Sequence, residues 1–419
     1  MANPAKISNI EALSVLDSRG NPTVQVFMYS DQGHLESSIT PSGASTGSKE
    51  ACELRDADPK LYHGKSVQKA LDNIQREILP KAMGFQLGDQ RAFDDMLIQL
   101  DGTTNKTKLG ANAMLACSQA YAKLSATAKN LALFEYFDID AAKFLIPTPM
   151  MNLINGGAHA DSGLSIQEFM VMPLGVQTIA EQVRAGSEIF QTLKKLLKQN
   201  GHSIAVGDEG GFAPHLKSHE QALDFLVQAI NESGYTAGEN VFICLDVAAS
   251  EFYKDGAYHM LVDGGTQEFS SSQLTDYFVE LVEKYPIFSI EDPMQEQDLE
   301  GWKLFSEKLG DKIQVVGDDY LVTNVELIQK AIDDQSCNAV LIKPNQIGTV
   351  SETVDAINLA KNNAFNTVIS HRSGDSEDSF IADLAVGMQA GQIKTGSLSR
   401  SERTCKYNRL LRIEQLLSK

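Results

Sequence analysis

The chain has 419 residues, 42% hydrophobic and 22% charged, enough to bury about three quarters of its unfolded surface without staples and, at about 150 residues per domain, long enough for two or three domains or a small domain plus one large barrel. Its 36 Lys and Arg against 55 Asp and Glu leave a formal charge of −19, which speaks against a nucleic-acid binder with its basic stripe and against docking on an anionic membrane. An anionic substrate would have to meet positive charge built locally against that field. The five cysteines, Cys52, Cys117, Cys244, Cys337 and Cys405, are odd in number, widely spaced and without a C-x-x-C pair. A disulfide framework or zinc ribbon is therefore not expected, and a reducing cytoplasm is. No apolar run approaches the ~18 residues of a membrane span, and the first twenty residues carry no signal-peptide core.

In chain order, Ile10–Leu16, Thr23–Tyr29 and His34–Thr40 read as short strands of a meander, separated by the turn clusters Asp17–Pro22 and Asp31–Gly33. Val24, Val26 and Met28 alternate onto one face. Helical stripes follow: Val67, Ala70, Leu71, Ile74 and Ile78; then Phe93, Met96, Leu97 and Leu100; then a long helix over Asn112–Lys129. This is an α+β domain, residues 1–140. Pro147 and Pro149 punctuate the passage into residues 141–419.

There, short apolar runs alternate with amphipathic stretches: Met150–Ile154, Phe169–Met172, Ile204–Val206, Val241–Leu245, Phe288–Ile290, Gln314–Val316, Ala339–Ile342, Thr367–Ser370 and Gln392–Ile393. Leu274, Tyr277, Phe278, Leu281, Val282 and Tyr285 make a clear helical face. Strands alternating with helices imply a parallel sheet with crossovers. At this number of repeats, a closed barrel of the TIM type is the economical form.

The informative pattern is the polar residue beside each run: Glu168 opening its run, then Glu209, Asp246, Glu291, Asp318, Lys343, His371 and Lys394 closing theirs. In a parallel barrel the carboxyl ends share one face, so these side chains would converge. Any one of the acids could simply cap the following helix. Asp246, Glu291 and Asp318 from consecutive units cannot all ionise in a dry site without counter-charge, and hard oxygen donors without cysteine suit Mg²⁺ better than zinc. Lys343 and Lys394 read as ion-pair partners of the acids, as a general base, or as a clamp on an anionic substrate. A base working near pH 7 needs its pKa lowered from ~10.4 by about three units, roughly 4 kcal/mol.

Other motifs carry less. Gly43-Ala-Ser45-Thr-Gly47 matches G-x-S-x-G, but it lacks the parallel strand before the nucleophile and reads as a mobile loop. Gly391–Ser397 lacks the P-loop lysine, and no G-x-G-x-x-G supports a dinucleotide site. His215 and His219 lack the glutamate of H-E-x-x-H and read as surface histidines. Trp302, the one tryptophan, reads as packing.

Taken together, Ser18-Arg-Gly-Asn-Pro-Thr23, Pro41-Ser-Gly-Ala-Ser-Thr-Gly47, Asn155-Gly-Gly-Ala-His-Ala-Asp161, Gln167-Glu-Phe-Met170, Gly207-Asp-Glu-Gly-Gly-Phe-Ala-Pro214, Ser289-Ile-Glu-Asp-Pro293, Gly317-Asp-Asp319, Leu341-Ile-Lys343, Ser370-His-Arg-Ser-Gly374 and Lys406-Tyr-Asn408 resemble the enolase family, bacterial type, in order along essentially the whole chain. The resemblance implies a small α+β domain before an eightfold β/α barrel with an irregular β-β-α-α opening. It implies reversible dehydration of 2-phosphoglycerate to phosphoenolpyruvate with two Mg²⁺, in a homodimer or larger even homo-oligomer. A lysine or histidine base beside one or two Mg²⁺ is already the known pattern of that superfamily.

Carried over by residue, Asp246, Glu291 and Asp318 match ligands of the first metal, and Ser45 a mobile-loop ligand of the second. Lys343 matches the base next to the carboxylate. Glu209, seconded by Glu168, matches the acid that helps hydroxide leave, with neighbouring Asp208 and Glu168 expected to raise its pKa. Arg372 and Ser373 match the phosphate grip. Lys394, His159, Gln167 and His371 match other substrate contacts. Departures from the family are Ser162, Gly163 and Ser165 in the loop after His159, and Pro344, which removes a backbone donor and is tolerable only at a strand end or bulge. Two alternatives stand beside this reading. A serine hydrolase using Ser45 would survive chelation and die with a serine-directed phosphonate. A non-catalytic scaffold on the same fold should have lost some of the strand-end acids or lysines, and none is missing.

Overall fold

A computed structural model describes residues 4–44, 46–138, 143–160, 162–262 and 265–418. The expected domain boundary after residue 140 lies outside the described residues. So do Ser45 and Asp161.

The opening meander forms as an antiparallel sheet of β1 (Ile7–Leu16), β2 (Pro22–Ser30) and β3 (Leu35–Ile39), in that spatial order. Val24, Val26 and Met28 are fully buried, because a period of two puts all three on the face that meets the helices. Val67, Ala70, Leu71, Ile74 and Ile78 join the same core with Phe93 and Leu97, whereas Met96 and Leu100 only flank it. The helix Ala111–Ala128 is buried almost all round. Its alanines suit a helix wedged between this sheet and the second domain, where Ser118 Oγ accepts the Val350 N–H at 2.9 Å and Lys123 pairs with Asp378 at 2.7 Å.

The second domain begins with β4 (Thr148–Asn155), β5 (Glu168–Met172) and β6 (Phe242–Asp246). Next comes a small antiparallel sheet of β7 (Tyr253–Lys254), β8 (Ala257–Val262) and β9 (Gly265–Phe269). Then follow β10 (Ile287–Glu291), β11 (Gln314–Gly317), β12 (Ala339–Ile342), β13 (Asn366–Ser370) and β14 (Gly391–Lys394). Strands β4, β5, β6 and β10 to β14 close a barrel. Strand β5 runs antiparallel to both neighbours, and the other barrel pairs are parallel. Two helices, Ile179–Gln199 and His219–Glu232, follow β5 before β6 returns, which is the β-β-α-α opening. Thr178, Ser218, Ser270, Asp298, Asn324 and Thr349 each cap an outer helix through a side-chain oxygen, worth about 1 kcal/mol apiece.

The barrel interior is solid. A layer of Met150, Met170, Met172, Cys244, Val316, Ala339, Leu341 and Val368 fills it. Gln314 closes it further down through hydrogen bonds to Gln392, Ser289 and Asn366. Ligands therefore have access from the mouth alone. The two domains meet there: Ser42 and Gly374 exchange backbone hydrogen bonds of 2.7 and 2.9 Å. A Cβ on Gly374 would sit 2.6 Å from Ser42 Oγ and 2.7 Å from Asp17 Oδ2, so the joint requires glycine.

Two expectations need correction, and one sheet was not expected. Ile204–Val206 is not a strand; Val206 makes only an isolated bridge to Phe212 and is 42% exposed. Eight strands already close the ring, and the second helix of the opening needs none before it. The β7–β9 sheet was not foreseen, although Asp255-Gly256 marks its first turn. His219 is not a surface residue: it is fully buried, and its Nε2 accepts the Ser165 and Ile166 N–H groups at 3.1 and 3.4 Å. His215 is exposed as expected. Among the described residues no helix is long and apolar enough to cross a membrane.

Candidate active site

The register of the barrel brings the strand-end residues together. Asn155 pairs with Glu168, Glu168 with Asp246, and Asp246 with Glu291, so four polar side chains form one row across β4, β5, β6 and β10. Because β5 is antiparallel, its first residue lies at the mouth, which is why Glu168 opens its run where the others close theirs. Lys394 ends β14, which pairs with β4 at the end of the row, and reaches into it, 3.0 Å from Glu168, 2.9 Å from Asp246 and 2.8 Å from Glu291. One cavity at this mouth is lined by His159, Gln167, Glu168, Glu209, Asp246, Lys343, His371, Arg372, Ser373 and Lys394, together with Ser370. Glu291 and Asp318 do not line it, but each touches one of its lysines.

Asp318 faces Lys343, forming an ion pair of 2.5 Å with Lys343 Nζ, and its other oxygen accepts Gln346 Nε2 at 2.8 Å. Asp292 sets this up from behind. Its two carboxylate oxygens accept the Asp318 and Asp319 N–H groups at 2.8 and 2.9 Å, turning that loop so that Asp318 points inward. Thr323 does the same for Lys343: its hydroxyl accepts the Lys343 N–H at 2.9 Å and donates to Gln346 at 2.7 Å. Val322 and Thr323 both hold positive φ, +42° and +56°. This is a strained conformation for β-branched residues, and it is stored beside the lysine. Pro344 takes the first position of the short helix Pro344–Ile347, where a missing N–H is harmless.

The phosphate-grip candidates are tied to the first domain. Arg372 forks onto Glu50 at 2.9 and 3.0 Å, and Ser373 Oγ accepts the Ala44 N–H at 2.7 Å. The Ser45 loop is thereby anchored at both flanks, since Gly47 N–H donates to Glu50 at 3.2 Å.

Charge is unevenly balanced. Burial pushes Glu168 and Glu291 well above the usual carboxylate range, reinforced by Glu209 beside Glu168 and Asp246 beside Glu291. Burial also raises Asp246, but Lys394 outweighs it and leaves the group low. Burial and Asp318 together push Asp319 up to about 7. The Lys394 ammonium is held well above its usual value against burial by Asp246, Glu168 and Glu291.

Two expectations reverse here. Lys343 is not shifted toward a neutral amine; burial favours that form, but Asp318 overrides it and raises the pKa. Glu209 is not held protonated by its acidic neighbours. Burial favours the proton, but His159, His371 and Arg403 prevail and hold Glu209 well below the usual range. His159 lies 3.7 and 3.6 Å from Glu168 and Glu209, and His371 lies 3.5 Å from Glu209. Within the pair, the surroundings thus favour the proton on Glu168 and the charge on Glu209. Asp208 is only partly buried and offers its backbone carbonyl to Arg403.

These residues suit a hard divalent cation. Three buried carboxylates share one ammonium, and Gln167 Oε1 and Glu168 Oε2 are buried without a hydrogen-bond partner among the described residues. Asp292, Asp318 and Asp319 bring oxygens within 4.8 Å of one another, as His159, Glu168 and Glu209 do with theirs. Oxygen-rich, cysteine-free sets of this kind match Mg²⁺. The residues that the sequence reading missed, Glu50, Asp292, Thr323, Gln346 and Arg403, act through other side chains or backbone. Only Asp292 stood inside a motif.

A family model described as the enolase N-terminal domain matches residues 7–137, and one described as the enolase C-terminal TIM barrel domain matches residues 143–419. With a closed eight-stranded barrel and a buried acid–histidine–lysine mouth, these are the domains of an enolase-superfamily lyase, and the chain belongs to the enolase family.

Proposed function

We propose that this protein catalyses the reversible dehydration of 2-phosphoglycerate to phosphoenolpyruvate. The observation that carries the reading is the placement of Lys343 and Glu168 around the ring. Strand β12, which delivers Lys343, and strand β5, which begins with Glu168, stand four positions apart in a barrel of eight. Residues delivered by these two strands come from opposite sides of the mouth, which supports a base on one face of the substrate and an acid on the other. In this reading Lys343 takes the proton next to the substrate carboxylate, and the Glu209–Glu168 pair gives a proton to the departing hydroxide. Arg372 and Ser373 hold the phosphate, with His159, Gln167, His371 and Lys394 around the rest of the molecule.

A proton beside a carboxylate is very weakly acidic, because its loss puts two negative charges on one carboxyl group. Asp246, Glu291 and Asp318 would hold one Mg²⁺, and Ser45 would complete the site of a second. Bound there, the cations would supply charge for the doubly negative carboxylate and compete with Lys343 for Asp318. Family membership supports a homodimer or larger even oligomer, and five free cysteines support a reducing cytoplasm.

Separate base and acid predict separable steps. Glu209→Gln should slow phosphoenolpyruvate formation by about 10²–10⁴-fold while exchange of the substrate C2 proton with deuterated solvent falls much less. Equal losses in both, followed by proton NMR and absorbance on one sample, would contradict the division of roles.

A further inference from the structure

Among the described residues Arg403 has no carboxylate in a forked pair and no place in the cavity lining, yet its side chain is completely buried. It lies in the C-terminal helix Ser401–Leu417 and spends its donors on the segment that carries the substrate contacts. Nη1 donates to the Arg372 carbonyl at 2.5 Å and also meets His371 Nδ1. Nη2 donates to the carbonyls of Ser373 at 2.6 Å and Asp208 at 3.1 Å, and lies 3.4 Å from Ser18 Oγ. Nε sits 3.5 Å from Glu402 Oε1. The packing leaves no slack: a Cβ on Gly396 would come 2.7 Å from Arg403 Cδ, 3.0 Å from His371 Cε1 and 3.0 Å from the Glu209 carbonyl.

We propose that Arg403 is a positioning residue that fixes the His371 imidazole as its Nε2–H tautomer and aims that proton at Glu209. A guanidinium can only donate, so His371 Nδ1 must accept. An accepting Nδ1 carries no proton, so the ring has a single proton. With Nδ1 accepting, that proton is on Nε2, the atom 3.5 Å from Glu209 Oε1. The same guanidinium clamps the carbonyls of Arg372 and Ser373, on either side of the Ser373 Cα, and the one preceding Glu209, so one side chain registers the acid against the phosphate grip. The mechanistic consequence rests on the function proposed above; the tautomer assignment does not.

The test reads the tautomer first, without substrate. In protein labelled with ¹⁵N-histidine, the His371 resonances, identified by their loss in His371→Gln, should show Nε2 protonated and Nδ1 unprotonated at neutral pH. Finding Nδ1 protonated in the native protein overturns the proposal, whether or not the protein turns over 2-phosphoglycerate. Arg403→Lys keeps the charge but loses the fork. In folded protein, checked by circular dichroism, it should give a mixed tautomer signal and a kcat about 10–100-fold lower, the range known for losing the partner that orients a metal-bound imidazole. C2-proton exchange should be largely retained. A native tautomer in Arg403→Lys, or equal losses of exchange and elimination, counts against the positioning role.

Discussion

Lys343→Ala is expected to abolish exchange of the C2 proton of 2-phosphoglycerate with solvent and to lower turnover by about 10²–10⁴-fold, with the fold intact. The side chain is buried and its charge meets Asp318, so its loss removes one ion pair. Asp318 keeps its hydrogen bond from Gln346 and is not stranded. Thr323 binds the backbone of residue 343, which any substitution but proline retains. Deuterium incorporation at C2, followed by proton NMR, reads the chemistry, and circular dichroism reads the fold. Exchange that persists in the folded variant would assign the base to another group.

Lys394→Ala should produce the largest stability effect. Its ammonium is the shared partner of Glu168, Asp246 and Glu291, and removing one partner of a buried charge cluster costs about 3–5 kcal/mol. The sign of the pH dependence follows. Glu168 and Glu291 already have raised pKa values in the folded protein and would be raised further without the ammonium. A carboxyl group that binds its proton more tightly when folded loses stability as pH rises from its unfolded value through its folded one. The gap between variant and native protein should therefore narrow as the pH is lowered. Millimolar Mg²⁺ should also narrow it, by supplying charge to the same carboxylates. Thermal melts across pH, with and without Mg²⁺, check both. A variant as stable as the native protein, or a gap indifferent to pH and Mg²⁺, would show that Lys394 does not neutralise the row.

Most of the barrel was readable because its physics is local. An apolar run closed by one polar residue marks a strand and its end, and eight of the nine runs became barrel strands. The failure at Ile204–Val206 is instructive: three apolar residues before Gly207 look the same whether or not the ring has a gap for them. The carboxylate row was readable as a set of strand ends, but its order was not, since the position of Glu168 depends on the antiparallel course of β5.

Electrostatics was the least readable part. Asp208 precedes Glu209 and Glu168 is the other acid expected to act on it, yet burial of Glu209 is offset by His159, His371 and Arg403, brought from three other segments. As a base Lys343 needs a lowered pKa, whereas Asp318 holds its ammonium at contact distance. Thr323, Gln346, Glu50 and Arg403 have no periodicity or spacing that announces them. Their partners are fixed only when β11, β12, the first-domain loop and the last helix converge. His219 belongs with them: the lack of a zinc motif said nothing about the backbone N–H groups of Ser165 and Ile166 that bury it.

The most direct measurement is the absorbance of an enol phosphate formed from 2-phosphoglycerate by the purified, folded protein, first with Mg²⁺, then after chelation with EDTA, then with Mg²⁺ restored. A rise that stops on chelation and resumes with the metal is the expected result. No rise in the presence of Mg²⁺, or a rise that continues undiminished in EDTA, would contradict a metal-assisted proton abstraction between Lys343 and the Glu168–Glu209 pair.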